Sequence, residues 1–168
     1  MTYSFLKQTT LSITATLALT PFLFAATPAT DTDKAFVAKV SQGGAYEVAA
    51  SKLAVERAHA MDVKDLSTAE VHDHEGVGAR LKALATASGA SMSPVLNAEF
   101  QARLEKLKSV SAADFDSAYI ADMEQIHDKD EKLFAAEANG GSDAYKTFAH
   151  QTDLIVKRHI GALHGLDH

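Results

Sequence analysis

No cysteine occurs anywhere in the 168-residue chain. That excludes disulfides, thiolate metal ligands and thiol redox chemistry, and it excludes a lipid-anchored lipoprotein, which needs a cysteine after its leader. Tryptophan is also absent, and proline is confined to positions 21, 28 and 94. Long stretches of the chain are therefore free of helix breakers. No sustained two-residue alternation is present, and no Asn-Gly or Asp-Gly pair stands between β-branched runs, so strand and hairpin signals are missing. Neither a Gly-x-Ser-x-Gly elbow nor a glycine-rich phosphate loop is found; Gly140-Gly141 reads as a turn. No residue is thereby singled out as catalytic.

Charge is scarce in the first 29 residues, where Lys7 is the single charged side chain. Leu11 to Ala26 is apolar apart from Ser12 and scattered threonines, and small residues follow at Ala25, Ala26 and Ala29. A positive end, an apolar run and small residues at a cleavage point make the three-part pattern of an export signal. The apolar run is short for a membrane span and Pro21 interrupts it. The expectation is a leader over residues 1–29, removed on export to the periplasm, and one domain over 30–168 without an integral membrane segment. Setting Lys7 aside leaves 15 Lys+Arg against 22 Asp+Glu, a net charge of −7. An acidic balance of this size argues against nucleic acid or an anionic membrane surface as the main partner. Homo-oligomerisation stays open.

About 139 residues then remain, enough for one hydrophobic core. They read as helix almost throughout. Phe36, Val40, Gly43, Glu47, Ala50 and Ala54 share one face of a helix from Asp31–Asp33 to about Ala60. Gly43-Gly44 costs helix propensity and suggests close approach of a neighbouring helix. A second helix is expected from Asp62, with Asp65 completing a capping box, to Gly89 as its terminating residue. A short helix from about Asn97 to Lys108 carries Phe100, Leu104 and Leu107. A further long helix is expected from Ser111 to Asn139, with Phe115, Tyr119, Met123, Ile126 and Leu133 on one side. Ser142 is placed to cap the last, whose face is Tyr145, Phe148, Thr152, Ile155, Val156 and Leu163. Four long amphipathic helices and one short one between the second and third predict an all-α, ferritin-like four-helix bundle with a crossover connection.

The stretch Glu70-Val71-His72-Asp73-His74-Glu75 breaks the apolar pattern. The stripe through Leu66, Val77, Leu81 and Leu84 runs back through Glu70, with Asp73 and His74 on its flanks. Unpaired buried charge costs several kcal/mol, so these groups need partners. The other helices offer them: Glu47; Asp130 within its apolar face, with His127 at the margin and Glu124 outside it; and His159 between Ile155 and Leu163. Carboxylates and imidazoles from four helices suit iron, manganese or zinc. The alternative is a metal-free polar network in a structural or interaction module of the cell envelope. His164 and His168 are four residues apart, a spacing that can hold a metal on one helix face, or they form a solvated tail.

The segments Ala35-Phe36-Val37, Gly43-Gly44, Glu47-Val48, Asp73-His74, Phe115-Asp116, Tyr119, His127, Phe134, Phe148-Ala149 and His159 together resemble an exported, ferritin-like bacterial family of unknown function. Its members are often labelled "predicted outer membrane protein". The resemblance covers essentially the whole chain after the leader. It implies a helical bundle in the cell envelope, associated with the outer membrane, and no established activity. Residues matching its pattern are Glu47, Asp73, His74, His127, Asp130 and His159, the candidate metal ligands. Glu70 departs from it, standing where the family tends to have an apolar residue, and Leu154 stands where the family often has proline. Classical di-iron ferritins carry Glu-x-x-His on two helices; here Val156 occupies the glutamate position before His159, and Glu124-x-x-His127 has its glutamate facing away. A ferroxidase centre is not expected.

Overall fold

Thr30 starts the first helix with a reciprocal cap. Its hydroxyl accepts from the Asp33 N–H at 3.1 Å, and the Asp33 carboxylate accepts from the Thr30 N–H at 2.7 Å. The computed structural model describes residues 27–93 and 95–166, and the leader expected over residues 1–29 lies almost wholly outside them, as does His168. Five helices follow in order: α1 Asp31–Arg57, α2 Met61–Ser88, α3 Ala98–Ser109, α4 Phe115–Gly140 and α5 Asp143–Leu163. No strand is present among the described residues.

The four long helices form a bundle in which α1 packs on α2 and α4, and α5 packs on α4 and α2. Both α1 and α5 start at one end, where α2 and α4 finish. The Ala29 N–H there bonds to the Ser88 carbonyl at 2.9 Å, and the Ser142 N–H to Asp33 Oδ1 at 2.9 Å. All neighbouring helices are thus antiparallel. The chain must then travel the length of the bundle between α2 and α4, and α3 makes that crossing along the outside of α1 and α4. This is the wiring expected of a ferritin-like bundle with an extra helix in the crossover.

Polar clamps hold the crossover down. Gln42 bonds to both sides of its start, donating to the Val95 carbonyl at 2.9 Å and accepting from the Asn97 N–H at 2.6 Å. Arg103 grips Asp122 Oδ1 at 2.6 Å and the Asp122 carbonyl at 2.7 Å. At the far end the Arg57 guanidinium donates to the carbonyls of Lys108 and Val110, both at 2.7 Å, and lies over the Phe115 ring.

Several helix ends differ from the sequence expectation. Helix α1 stops at Arg57 because Ala58 turns to extended backbone. No box forms at the start of α2; Asp65 is exposed, and Asp116 of α4 accepts instead from the His59 and Ala60 N–H groups at 3.0 and 2.8 Å. A partner from another helix supplies that cap. Helix α4 begins at Phe115, since Ser111 and Asp114 bond to each other in a preceding turn. Ser142 precedes α5 without a side-chain cap. Gly89 ends α2 in the left-handed conformation at φ 76°. Gly43 meets the Asp130 carboxylate of α4, but Gly44 faces open space, so close helix approach accounts for only one of the pair.

The interior has two apolar halves. Phe36, Val40, Leu81, Phe134, Tyr145 and Phe148 fill the half near Asp33. Tyr46, Ala54, Leu66, Phe115, Tyr119, Met123 and Leu163 fill the other. Between them lies a layer of fully buried polar side chains. Helix α1 places Glu47 sixteen residues after Asp31, and α5 places His159 sixteen after Asp143. At 1.5 Å per residue both stand about 24 Å from the same end, so a shared level follows from the wiring.

At the Asp33 end a second polar group is buried. The Asp33 carboxyl would be pushed up by burial, but its bonds from Ser142 and Thr30 hold it down at about 2. Glu137 beside it is raised to about 7 by burial and by Asp33. A carboxyl raised on folding favours the folded state while protonated, so its contribution is complete below about 4.5 and lost as pH rises through 7. Asp33 has the opposite sign, and its contribution is lost as pH falls from about 4 towards 2. Melting curves of the wild type and Glu137→Gln should therefore converge or cross in one direction. The wild type loses ground to the variant as pH rises from about 4.5 through 7; a pH-independent difference would refute the raised Glu137 carboxyl.

Candidate metal centre

Glu70 is the hub of the polar layer. Its neighbours Leu66, Ser67, His74 and Val77 lie on the same buried face of α2, so the helix carries the carboxylate inward whatever its charge costs. Three imidazoles surround it. Glu70 Oε2 is 3.0 Å from His74 Nε2 and 3.0 Å from His159 Nδ1, and Oε1 is 3.4 Å from His127 Nε2. His127 Nε2 and His159 Nδ1 are themselves 3.2 Å apart. One ligand atom from each of these four residues lies within 4.8 Å of the others, and all four residues are buried.

Each imidazole has its other nitrogen turned outward onto an acceptor. His127 Nδ1 lies 2.9 Å from the Met123 carbonyl, one turn back on its own helix, and must donate to it. His159 Nε2 lies 2.9 Å from Asp73 Oδ2. His74 Nδ1 is 3.3 Å from Glu47 Oε2. With those hydrogens placed outward, the neutral rings present three lone pairs to the Glu70 carboxylate. Lone pairs at these separations repel, so the centre requires protons or a cation. Protons serve incompletely, because hydrogens on both His127 Nε2 and His159 Nδ1 would meet across the 3.2 Å gap. Both Glu70 oxygens, both Glu47 oxygens and His74 Nε2 lack an aligned hydrogen bond.

The electrostatics follow. Burial alone would raise the Glu70 carboxyl, but the close approach of the His127, His159 and His74 ring nitrogens holds it far below the usual carboxylate range. His127 would be lowered by burial, yet Glu70 and Glu47 raise it to about 9. His74 is raised against its burial by Glu47 and Glu70. Asp73 is lowered despite burial by its bonds from His159 and His72 and by the charge of Arg158, which also grips it. Asp130 is raised to about 8, by burial first and then by Glu47.

Of the six residues expected from the sequence, His74, His127 and His159 meet at the hub. Glu47 lies beside two of them, at 3.3 Å from His74 and 3.7 Å from His127 Nδ1. Asp73 is half-buried and reaches the centre through His159. Asp130 is buried near Gly43, away from the four converging atoms. His127 is wholly buried, more deeply than a margin position suggests. Glu70 is absent from the expected ligands because it departs from the resembling family's pattern, although its place on the apolar stripe points inward. Glu124 remains outside the group, and exposed His164 takes no part.

The chain belongs to the family described as "Domain of unknown function (DUF4142)", whose model matches residues 20–166. No curated protein matches it by sequence. Among solved structures it is similar to the crystal structure of a DUF305 fragment from Deinococcus radiodurans, with a TM-score of 0.73 and 15% identity over 82% of this chain and 96% of that one. At that identity the likeness concerns the fold alone. No helix among the described residues is long and apolar enough to cross a membrane.

Removing the hub leaves the inward nitrogens of the three imidazoles without their common counter-charge. Glu70→Gln should destabilise the metal-free protein at neutral pH by about 3–5 kcal/mol in urea denaturation, the cost of breaking a buried pair. The His127 ring should titrate near 9 in the wild type and lower in the variant, as read by NMR. A His127 titration unmoved by the substitution would refute the assigned cause.

Proposed function

We propose that this protein binds one first-row divalent metal, iron, manganese or zinc, through Glu70, His74, His127 and His159. The observation that carries this is the orientation of the three rings: every outward nitrogen is matched to an acceptor, and every inward nitrogen faces the same carboxylate. Metal-bound histidines have this arrangement, with the second nitrogen held by a carbonyl or carboxylate. Tetrahedral ligands about 2.0–2.1 Å from an ion are about 3.3 Å apart. Four contacts among the inward atoms are already 3.0–3.4 Å, and one atom from each residue lies within 4.8 Å of the others, so the side chains would close in by up to about 1.5 Å to meet that spacing. Glu47 and Asp73 would orient His74 and His159 and raise their basicity. The four atoms converge on one point, which favours a single ion over a di-iron pair.

The leader supports an exported protein of the periplasm, associated with the outer membrane as in the family it resembles. In that compartment the centre would serve metal handling or the response to oxidative stress. A second reading, a metal-free polar layer that holds the helices in register, draws on the proton that His127 keeps to about 9.

Thermal melts of chelator-stripped protein separate the two. A metal bound only by the folded state adds RT ln(1 + [L]/Kd), about 2.7 kcal/mol at a hundredfold excess, which is several degrees for a domain of this size. The gain should shrink as pH falls below about 9, where His127 takes up its proton, because protons compete for the ligands. His159→Ala should lose most of it and exposed His164→Ala almost none. If iron, manganese and zinc all leave the wild-type melting temperature unchanged at neutral pH, the metal-free layer is the better reading. N-terminal sequencing of protein released from the periplasm should begin near residues 26–30; an intact Met1 would refute the cleaved leader.

A further inference from the structure

A cleft of about 330 Å³ opens between α1 and α2, beside the polar layer. Its volume is at the small end of ligand-binding clefts, roughly 300–1,000 Å³. Two glycines on facing helices help to keep it open. A Cβ at Gly44 or at Gly78 would meet no atom within 4 Å, and each of these glycines lowers helix propensity by about 1 kcal/mol relative to alanine. The walls are aliphatic, with Val48, Val77 and Leu81 from the helices and Met92 from the crossover.

The inner end has a different character. Glu47, fully buried, lines the cleft with neither carboxylate oxygen in an aligned hydrogen bond. Asp130 lies beside it, and Glu75 stands at the exposed rim, where Lys52 pairs with it at 2.7 Å. Among the described residues no lysine or arginine lines the cleft, and the imidazole that does, His74, is already flanked by Glu47 and Glu70. Apolar walls offer nothing to a bare metal ion in transit. A carboxylate or phosphate head would meet the Glu47 carboxylate, whose neighbouring imidazole His74 is already engaged by Glu47 and Glu70.

We propose that this cleft binds a small cationic amphiphile, an alkyl chain with a primary ammonium head, with the head donating to Glu47 and the chain lying along Val48, Val77, Leu81 and Met92. The ammonium supplies donors to the Glu47 oxygens beyond the one that His74 Nδ1 offers at 3.3 Å, and the chain covers the apolar walls. The site does not depend on the adjoining centre being loaded, so it stands or falls separately from the metal reading.

Hexylamine and hexanoate, equal in chain length and opposite in charge, are the probes. Each is titrated into the mature protein at neutral pH, chelator-stripped and zinc-supplemented, with amide resonances recorded by NMR. Hexylamine is expected to shift Val48, Val77 and Leu81 in both preparations and to bind at least about tenfold more tightly than hexanoate. Gly78→Phe and Gly44→Leu fill open space on helices, so both should fold, keep the wild-type response to metal, and bind hexylamine at least about tenfold more weakly. Absence of hexylamine binding to the wild type overturns the proposal. So does equal binding of hexanoate, or undiminished hexylamine binding by both folded variants.

Discussion

A carboxylate buried among three imidazoles is the constraint on which the rest of this bundle depends. Glu70 is wholly buried, and among the described residues no lysine or arginine reaches it. An isolated carboxylate there would be prohibitively costly, so His74, His127 and His159 are obligatory partners. They come from α2, α4 and α5, with Glu47 of α1 behind them. Satisfying one charge therefore ties all four long helices to one level. A slip of any helix by one turn, about 5.4 Å, would leave a buried polar group without its partner. Apolar packing tolerates such slips far better, which gives the polar layer a role in register whether protons or a metal ion complete it.

The two apolar halves on either side do the complementary task. They exclude water from the layer, and exclusion of water is what makes its charges interact strongly enough to hold the His127 proton to about 9. The crossover contributes on one side. Helix α3 is held by Gln42, Arg103 and Arg57, and the Arg103–Asp122 pair also reaches the Tyr46 hydroxyl, beside Glu47 in sequence. Between α1 and α2 a cleft opens. Gly44 and Gly78 stand where larger side chains would close it, and the cleft there reaches His74 and Glu47. The centre is thus approachable between α1 and α2.

Much of the fold could be read from the chain because helical periodicity is a local property. The stripes of α1, α4 and α5 were visible in the spacing of Phe36, Val40 and Ala54, of Phe115, Tyr119 and Met123, and of Tyr145, Phe148 and Val156, and all are buried. The short helix in the crossover and the left-handed Gly89 were equally legible, since both rest on residues a few positions apart. So was the inward direction of Glu47, Glu70, His74, His127 and His159, because each lies on or beside its own stripe. Convergence at one level followed from antiparallel wiring combined with the equal offsets of Glu47 and His159.

What only the tertiary structure decided lies between helices. The cap on α2 comes from Asp116, which no reading of Asp62 and Asp65 could supply. Which carboxylate is the hub depended on side-chain reach: Glu70 points between three rings, while Asp73 stops at the outer nitrogen of His159 and Asp130 at Gly43. The orientation of each ring was set by its outer acceptor, a Met123 carbonyl in one case and a carboxylate from α1 or α2 in the others. Sequence alone determined that charged groups would be buried, because the apolar stripe runs through them. Which atoms would face each other depended on the contacts made when four helices met, since distances of about 3 Å are set by packing rather than by periodicity.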